Sequence, residues 1–239
     1  MPTKSATNKG AEANETEPSA ATPRAKAKLW RLMIVDEQPI LRVGLRETLS
    51  AERGLEIVAE ASGAPDAVKA AREHKPDLAI VDISLERGSG LDLLKQLRSD
   101  FPNLKLIVFS SQDEELYAER ALRAGADGYI AKSESADRLI EAIRQILSGA
   151  TALSPEMTER LVQQALGGNG EPTGVESLSD RELEVFQLIG GGLSTRKIAK
   201  QLCISVKTVE THRENIKRKL NAASFSVQRT RCMSEADAP

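Results

Sequence analysis

Hydrophobic positions divide the chain into a nearly featureless start, a long regular middle and a short helical end. Residues 1–28 are rich in Ala, Thr, Glu and Lys and carry almost no large apolar side chain. Such a segment cannot bury enough surface to fold, so a disordered arm is expected. From Trp30 onward, short apolar runs alternate with helical stripes. The runs at 32–35, 55–61, 78–81, 104–109 and 128–131 read as strands, and 39–50, 64–74, 91–100, 114–124 and 136–147 read as helices. The last is the plainest, with Leu139, Ile140, Ile143, Ile146 and Leu147 on one stripe. Strands of consecutive apolar residues are buried on both faces. Residues 29–150 are therefore expected to form a doubly wound α/β domain with a five-stranded parallel sheet.

The second half has helical spacing only. Ser154-Pro155 is the N-cap and first position of a helix to Leu166, within a linker spanning 151–177 that includes the glycine-rich stretch 167–174. Ser179 and Glu182 form a capping-box pattern that opens a helix expected through Leu188 and ended by Gly190, Gly191 and Gly192. Ser194 starts a short helix to Leu202, and Ser205 caps a longer one to Leu220. Helix, short turn, helix is the helix-turn-helix arrangement, so 178–224 reads as a small all-α domain followed by a tail at 225–239.

Composition removes several classes. The apolar share is 40% but only 3% is aromatic, so the cores must be aliphatic. No apolar run approaches the roughly 18–20 residues of a membrane span, and the first 28 residues lack the apolar stretch of a signal peptide. Glu12, Glu15 and Glu17 argue against a transit peptide, so a soluble cytoplasmic protein without a membrane partner is expected. Cys203 and Cys232 have no C-x-x-C spacing, and His74 and His212 are the only histidines. That speaks against a disulfide scaffold and against a thiol or imidazole metal site. Cys203 is expected to be a small buried filler.

The net charge of −2 hides an asymmetry. Residues 29–150 carry 16 basic and 21 acidic side chains, whereas 194–221 carry eight basic and two acidic ones. A compact basic block suits a phosphate backbone. A solvated lysine-rich helix would give the same count, so charge alone does not choose.

In an open α/β sheet, ligands bind beyond the carboxyl ends of the strands. This sequence puts Asp36 and Glu37 after the first strand, Asp82 after the third, Ser110 and Ser111 after the fourth, and Lys132 after the fifth. Each alone has a plain role: Asp36 as a helix cap, Asp82 as a loop acid, Lys132 as a surface charge. Together they gather carboxylates, a hydroxyl and an ammonium on one edge. Hard oxygen donors clustered in this way suit Mg²⁺.

The segments Ile34-Val35-Asp36-Glu37-Gln38-Pro39, Val81-Asp82-Ile83-Ser84-Leu85, Val108-Phe109-Ser110-Ser111 and Gly125-Ala126-Asp127-Gly128-Tyr129-Ile130-Ala131-Lys132 resemble the receiver domain of bacterial two-component response regulators. The resemblance implies that Asp82 accepts a phosphoryl group from a sensor histidine kinase. It implies that Asp36, Glu37 and Asp82 help bind Mg²⁺ and that Lys132 pairs with phosphoryl oxygens. Ser110 takes the hydroxyl position, ahead of its neighbour Ser111. Tyr129 takes the place of the switching aromatic, expected to turn into space that Ser110 vacates on phosphorylation. Glu86 and Arg87 stand where many relatives have proline, and Gln112 where many have histidine.

In the second domain, Ile198, Ala199, Leu202, Val206, Val209, Ile216 and Leu220 are spaced to pack inward. Lys207, Thr208, Thr211, Asn215 and Arg218 are left facing outward, as a groove-reading helix requires, while Glu210 and Glu214 oppose phosphate attraction. Leu178-Ser179-Asp180-Arg181-Glu182-Leu183-Glu184-Val185, the run from Ser194 to Leu202 and the run from Ser205 to Ile216 resemble the LuxR-type helix-turn-helix. Joined to a receiver, this is similar to the NarL/FixJ class of transcription regulators. The resemblance implies a double-stranded DNA partner met by Lys197, Lys207, Thr208, Thr211, His212, Asn215 and Arg218, with His212 making a phosphate or packing contact. It also implies homodimer pairing on phosphorylation. Relatives carry a fourth amphipathic helix after Leu220 that commonly supplies the dimer contact, whereas 221–239 has no helical stripe and offers at most a short helix near 224–231.

The leading expectation is thus a DNA-binding regulator in which phosphorylation frees the reader domain and exposes 206–220. One rival is an aspartate-nucleophile phosphatase, but the position two residues after Asp82, where a general acid would stand, is Ser84. The other is a phosphorylation-independent DNA-binding or interaction protein, which the complete Asp36, Glu37, Asp82, Ser110 and Lys132 set does not favour.

Overall fold

The structure, a computed structural model, describes residues 28–85, 89–166 and 174–220. All but Lys28 of the arm, Glu86 and Arg87, most of the glycine-rich linker and the tail after Leu220 lie outside the described residues.

The strands β1 (Trp30–Val35), β2 (Leu55–Ala61), β3 (Leu78–Val81), β4 (Lys105–Ser110) and β5 (Gly128–Ala131) form one parallel sheet in the order β2-β1-β3-β4-β5. Between and after them run α1 (Pro39–Ser50), α2 (Ala64–His74), α3 (Gly90–Asp100), α4 (Glu114–Arg123) and α5 (Ala136–Leu147). Successive strand residues point to opposite faces, and both faces are apolar. Leu32, Ile34, Ile80, Ile107, Phe109 and Ile130 pack with Leu45 and Leu49 of α1 and Leu139, Ile143 and Ile146 of α5. Met33, Val35, Val81, Leu106, Val108 and Tyr129 pack on the other face with α2, α3 and α4. Full burial of each such aliphatic side chain stabilises the domain by roughly 2 kcal/mol before conformational entropy is subtracted.

Strand order reverses between β1 and β3, where such folds open a crevice. The register aligns Val35 with Val81 and Val81 with Val108, so the residues following β1, β3 and β4 emerge side by side. The Asp82 amide donates to Val35 O at 2.8 Å and the Lys132 amide to Ser110 O at 2.8 Å, extending the ladder into the loops. Gly90 fixes the far side of this edge. A Cβ there would lie 2.2 Å from Ile83 Cα, so only glycine lets the start of α3 approach the loop that leaves Asp82.

Beyond the sheet, Ser154 caps α6 (Pro155–Ala165), with its hydroxyl accepting from the Met157 amide. A 3-10 turn at Gly174–Ser177, within the stretch read as linker, leads into α7 (Asp180–Gly190), α8 (Thr195–Gln201) and α9 (Val206–Lys219). The Ser179–Glu182 capping box is formed. Helix α7 runs two residues past the expected Leu188, because Gly190 and Gly191 keep φ negative and the left-handed turn falls at Gly192 with φ 78°. Leu183, Phe186, Ile198, Leu202, Val209 and Ile216 close a small apolar core. Two expectations fail here. Val206 is 40% exposed, because the first residue of α9 has no preceding turn to pack beneath it. Cys203 is exposed rather than buried, because it follows the end of α8 in left-handed backbone, φ 55°, which turns its side chain outward.

Candidate functional site

The Lys132 ammonium bridges two acids that are each 2% exposed, with Nζ 2.6 Å from Asp82 Oδ2 and 2.7 Å from Asp36 Oδ2. The remaining oxygens turn back to the chain: Asp82 Oδ1 accepts from the Ser84 amide at 2.9 Å and Asp36 Oδ1 from the Gln38 amide at 2.8 Å. Burial alone would lower the Lys132 pKa, but the two carboxylates outweigh it and the pKa is raised. Lys132 is therefore firmly protonated. Asp36, Asp82 and Lys132 thus stand together as expected.

Ser110 is fully buried beside them. Its Oγ accepts from the Gln112 amide at 3.2 Å and lies 3.5 Å from Ser84 Oγ, to which Gln112 Nε2 donates at 3.0 Å. Ser111 is exposed, whereas the Ser110 side chain is turned into the fold. Tyr129 is fully buried on the side of the sheet that packs with α2, α3 and α4, and donates to Gln112 O at 2.7 Å. Ser84 and Gln112 were not singled out as a pair by sequence reasoning, and their 28-residue separation carries no local signal.

The expected carboxylate trio is only partly assembled. Among the described residues no three His, Cys, Asp or Glu side chains form a ready-made metal shell, and Glu37 is half-buried on the wall of an adjacent cavity. The donor set nevertheless fits a hard cation. Two buried carboxylates share one ammonium, which leaves an excess negative charge on oxygen-only donors.

That cavity, of about 210 Å³, is lined on the receiver side by Glu37, Ser84, Leu91, Gln112 and Tyr117. Its opposite wall is the helical domain: Glu184, Gln187 and Leu188 of α7, with Gln201 and Leu202 at the end of α8. Closure is held by specific contacts. Tyr117 Oη donates to Gln187 Oε1 at 2.6 Å, and Ser89 Oγ donates to Glu184 Oε1. Asp180 pairs with Lys95 at 2.9 Å and Arg120 at 3.1 Å. Burial would raise the Asp180 pKa, but these two cations outweigh it and the pKa is lowered. Glu184, sheltered between the domains, is raised by burial despite its bonds to Ser89 and Arg181.

Helix α9 packs against α7 and α8. Lys219 Nζ reaches Glu182 at 2.7 Å, and Arg213 donates to Thr195 Oγ1 at 2.8 Å. Lys197, Lys207, Thr211 and Arg218 are exposed, while Thr208, Asn215 and His212 are half-buried. Thr208 Oγ1 lies 2.7 Å from Ser205 Oγ, and Asn215 Oδ1 accepts from Arg218. His212 Nδ1 is buried and has no hydrogen-bond partner among the described residues, so its ring lies on the packed side of the helix. The outer residues of α9 are thus already exposed in the closed arrangement. It is α7 and the end of α8 that the receiver covers.

Comparison with known proteins agrees with this division. The family described as "Response regulator receiver domain" matches residues 32–144, and "Bacterial regulatory proteins, luxR family" matches residues 176–228. Oxygen regulatory protein NreC of Staphylococcus carnosus is 34% identical over 200 residues, covering 81% of this chain and 92% of its own. Response regulator GacA of Pseudomonas aeruginosa is 30% identical over 194 residues, covering 81% and 91%. A LuxR-family two-component response regulator from Aurantimonas matches with TM-score 0.54 and 31% identity over 58% of this chain and 99% of that one. RcsB of Salmonella enterica, solved on promoter rprA with a phosphomimetic, matches with TM-score 0.64 over 86% and 98%, and at 24% identity the likeness concerns the fold. A receiver that ends in an oxygen-rich crevice and is joined to a basic three-helix unit therefore has its family: the chain belongs to the two-component response regulators with a LuxR-type DNA-binding domain, which are signalling proteins rather than turnover enzymes.

Proposed function

We propose that Asp82 is the phosphoacceptor of a cytoplasmic transcription regulator and that a sensor histidine kinase is its donor. The observation that carries this reading is the pairing of Asp82 with Lys132 beside Asp36 and the buried Ser110 hydroxyl, at the strand ends where the sheet order reverses. An Asp82 carboxylate oxygen attacks phosphorus. The bond from phosphorus to the donor histidine nitrogen breaks, and the imidazole leaves and takes up a proton. Lys132 meets charge on the transferring oxygens, and Ser110 offers a hydroxyl donor to the product. Asp36, Glu37 and Asp82 would hold Mg²⁺, which supplies charge neutralisation at the phosphoryl oxygens when bound.

The output is double-stranded DNA. Lys197, Lys207, Thr211 and Arg218 present an exposed face for phosphates and base edges, and Thr208 and Asn215 border it. His212 serves as a packing residue at the edge of this face. Phosphorylation separates α7 from the receiver and lets two copies pair on neighbouring half-sites. Because α9 is already exposed, separation acts by freeing α7 and the end of α8, not by unveiling the reading helix.

The test is incubation with acetyl phosphate and Mg²⁺ alongside Asp82→Asn. A base-labile phosphoryl mass is expected on the wild type alone, and equal labelling of the variant would remove Asp82 from this role.

A further inference from the structure

We propose that Glu184 is the charge sensor of the closed arrangement: its carboxylate, set by α7 on the wall of the cavity that Ile83 and Ser84, the two residues after Asp82, also line, makes domain closure and a phosphoryl group on Asp82 mutually unfavourable. This rests on the reading of Asp82 as phosphoacceptor and assigns the group that converts the added charge into release.

Glu184 is 13% exposed, accepting from Ser89 of the receiver and from Arg181 Nη1 at 2.7 Å within its own domain. Arg181 is also tied to Leu202 O at 3.0 Å, which anchors it on the output side. None of the described side chains lining the cavity is cationic, whereas Glu37 and Glu184 are both acidic. Lys132 is already divided between Asp36 and Asp82. A phosphoryl group on Asp82 brings a charge of about −1.5 to −2 and three acceptor oxygens next to the Ile83 and Ser84 wall of this cavity. Like charges repel more strongly at a partly buried site than at the open surface, and Glu184 is only 13% exposed.

The other closing contacts do not carry this conflict. Asp180 with Lys95 and Arg120, and Tyr117 with Gln187, are adhesive pairs that hold the domains together. Glu184 is the contact whose sign turns unfavourable on phosphorylation. By linkage, closure that opposes the phosphoryl group is itself opposed by it to the same extent.

The test uses the full chain, acetyl phosphate with Mg²⁺, intact mass for phosphoryl uptake and hydrogen exchange of α7 amides for opening. Wild type should lose α7 protection on phosphorylation. Glu184→Gln should take up phosphoryl and yet open about fivefold less, or lower still, and reach a correspondingly higher phosphorylated fraction at limiting donor. Glu184→Asp, which keeps the charge, should respond as wild type does. Full opening of phosphorylated Glu184→Gln overturns the proposal, as does a Glu184→Asp variant that is blunted equally, since shape and not charge would then be responsible. Absence of phosphoryl on the wild type is a separate result, which removes the phosphoacceptor reading and this inference with it.

Discussion

The hydroxyl of Tyr117 on α4 donates to Gln187 Oε1 on α7 at 2.6 Å, so a receiver helix grips the first helix of the DNA-binding domain directly. Tyr117 is 3% exposed, and burial pushes its phenol pKa up, so it remains a donor throughout the physiological range. Tyr117→Phe removes this bond without altering the ring. It should weaken closure by about 1 kcal/mol, seen as faster exchange of α7 amides in the unphosphorylated protein. Unchanged exchange would mean that the bond contributes nothing to closure.

Closure should fail in acid. The Asp180 pKa is lowered in the closed protein, so its contribution is present above the ordinary carboxylate range and is lost as pH falls through the lowered value. Glu184, whose pKa is raised, has the opposite sign and favours closure as it takes up a proton on the way down. Scattering measured against pH should therefore show the closed form persisting through the ordinary carboxylate range and opening only below it. Asp180→Asn should be less closed at neutral pH and lack the acid step. Superimposable profiles would contradict the assignment.

Lys132→Met leaves Asp36 and Asp82 buried without their common cation. In the presence of a chelator the variant should lose about 3 kcal/mol in urea unfolding, the scale expected when one partner of a buried pair is removed. Added Mg²⁺ should restore more stability to the variant than it adds to wild type. Equal Mg²⁺ effects on both would argue against a cation joining these carboxylates.

Gly90→Ala forces a methyl to within 2.2 Å of Ile83 Cα. Backbone must move, at a cost of about 2 kcal/mol. Because the displaced loop leaves Asp82, phosphoryl uptake from acetyl phosphate should slow as well. A stable variant with unaltered uptake would show that the loop has more freedom than its contacts imply.

Lys207→Ala removes an exposed cation from the start of α9. Affinity for duplex DNA should fall across all sequences, and the slope of log K against log salt should shrink by about one. An unchanged slope would place Lys207 away from the phosphates.

Much of this architecture is legible without coordinates because it is local. The five strands and their helices fall within two residues of the positions that apolar spacing predicts. Asp36, Asp82 and Lys132 can be found because each follows a strand, and parallel strands end on one edge. Stripe-counting fails where it ignores ends, since Val206 continues the stripe but begins the helix; the expectation of a buried Cys203 fails for another reason, because residue type does not reveal a left-handed turn. What joins the domains leaves no spacing to read. Ser89 and Glu184 are 95 residues apart, and Tyr117 and Gln187 are 70 apart. Those pairs arise only once α7 has come to rest against the receiver.

Asp180 serves two masters. It is an acidic residue in the first turn of α7, where a negative charge favours the start of a helix, and it is also the carboxylate that Lys95 and Arg120 clasp. When the clasp lets go, that helix start loses nothing of its own, and the Ser179–Glu182 box with Lys219 lies wholly within the departing unit. On the proposed function, detachment is a change of company rather than of shape, and the helices α7, α8 and α9 reach a duplex already packed together.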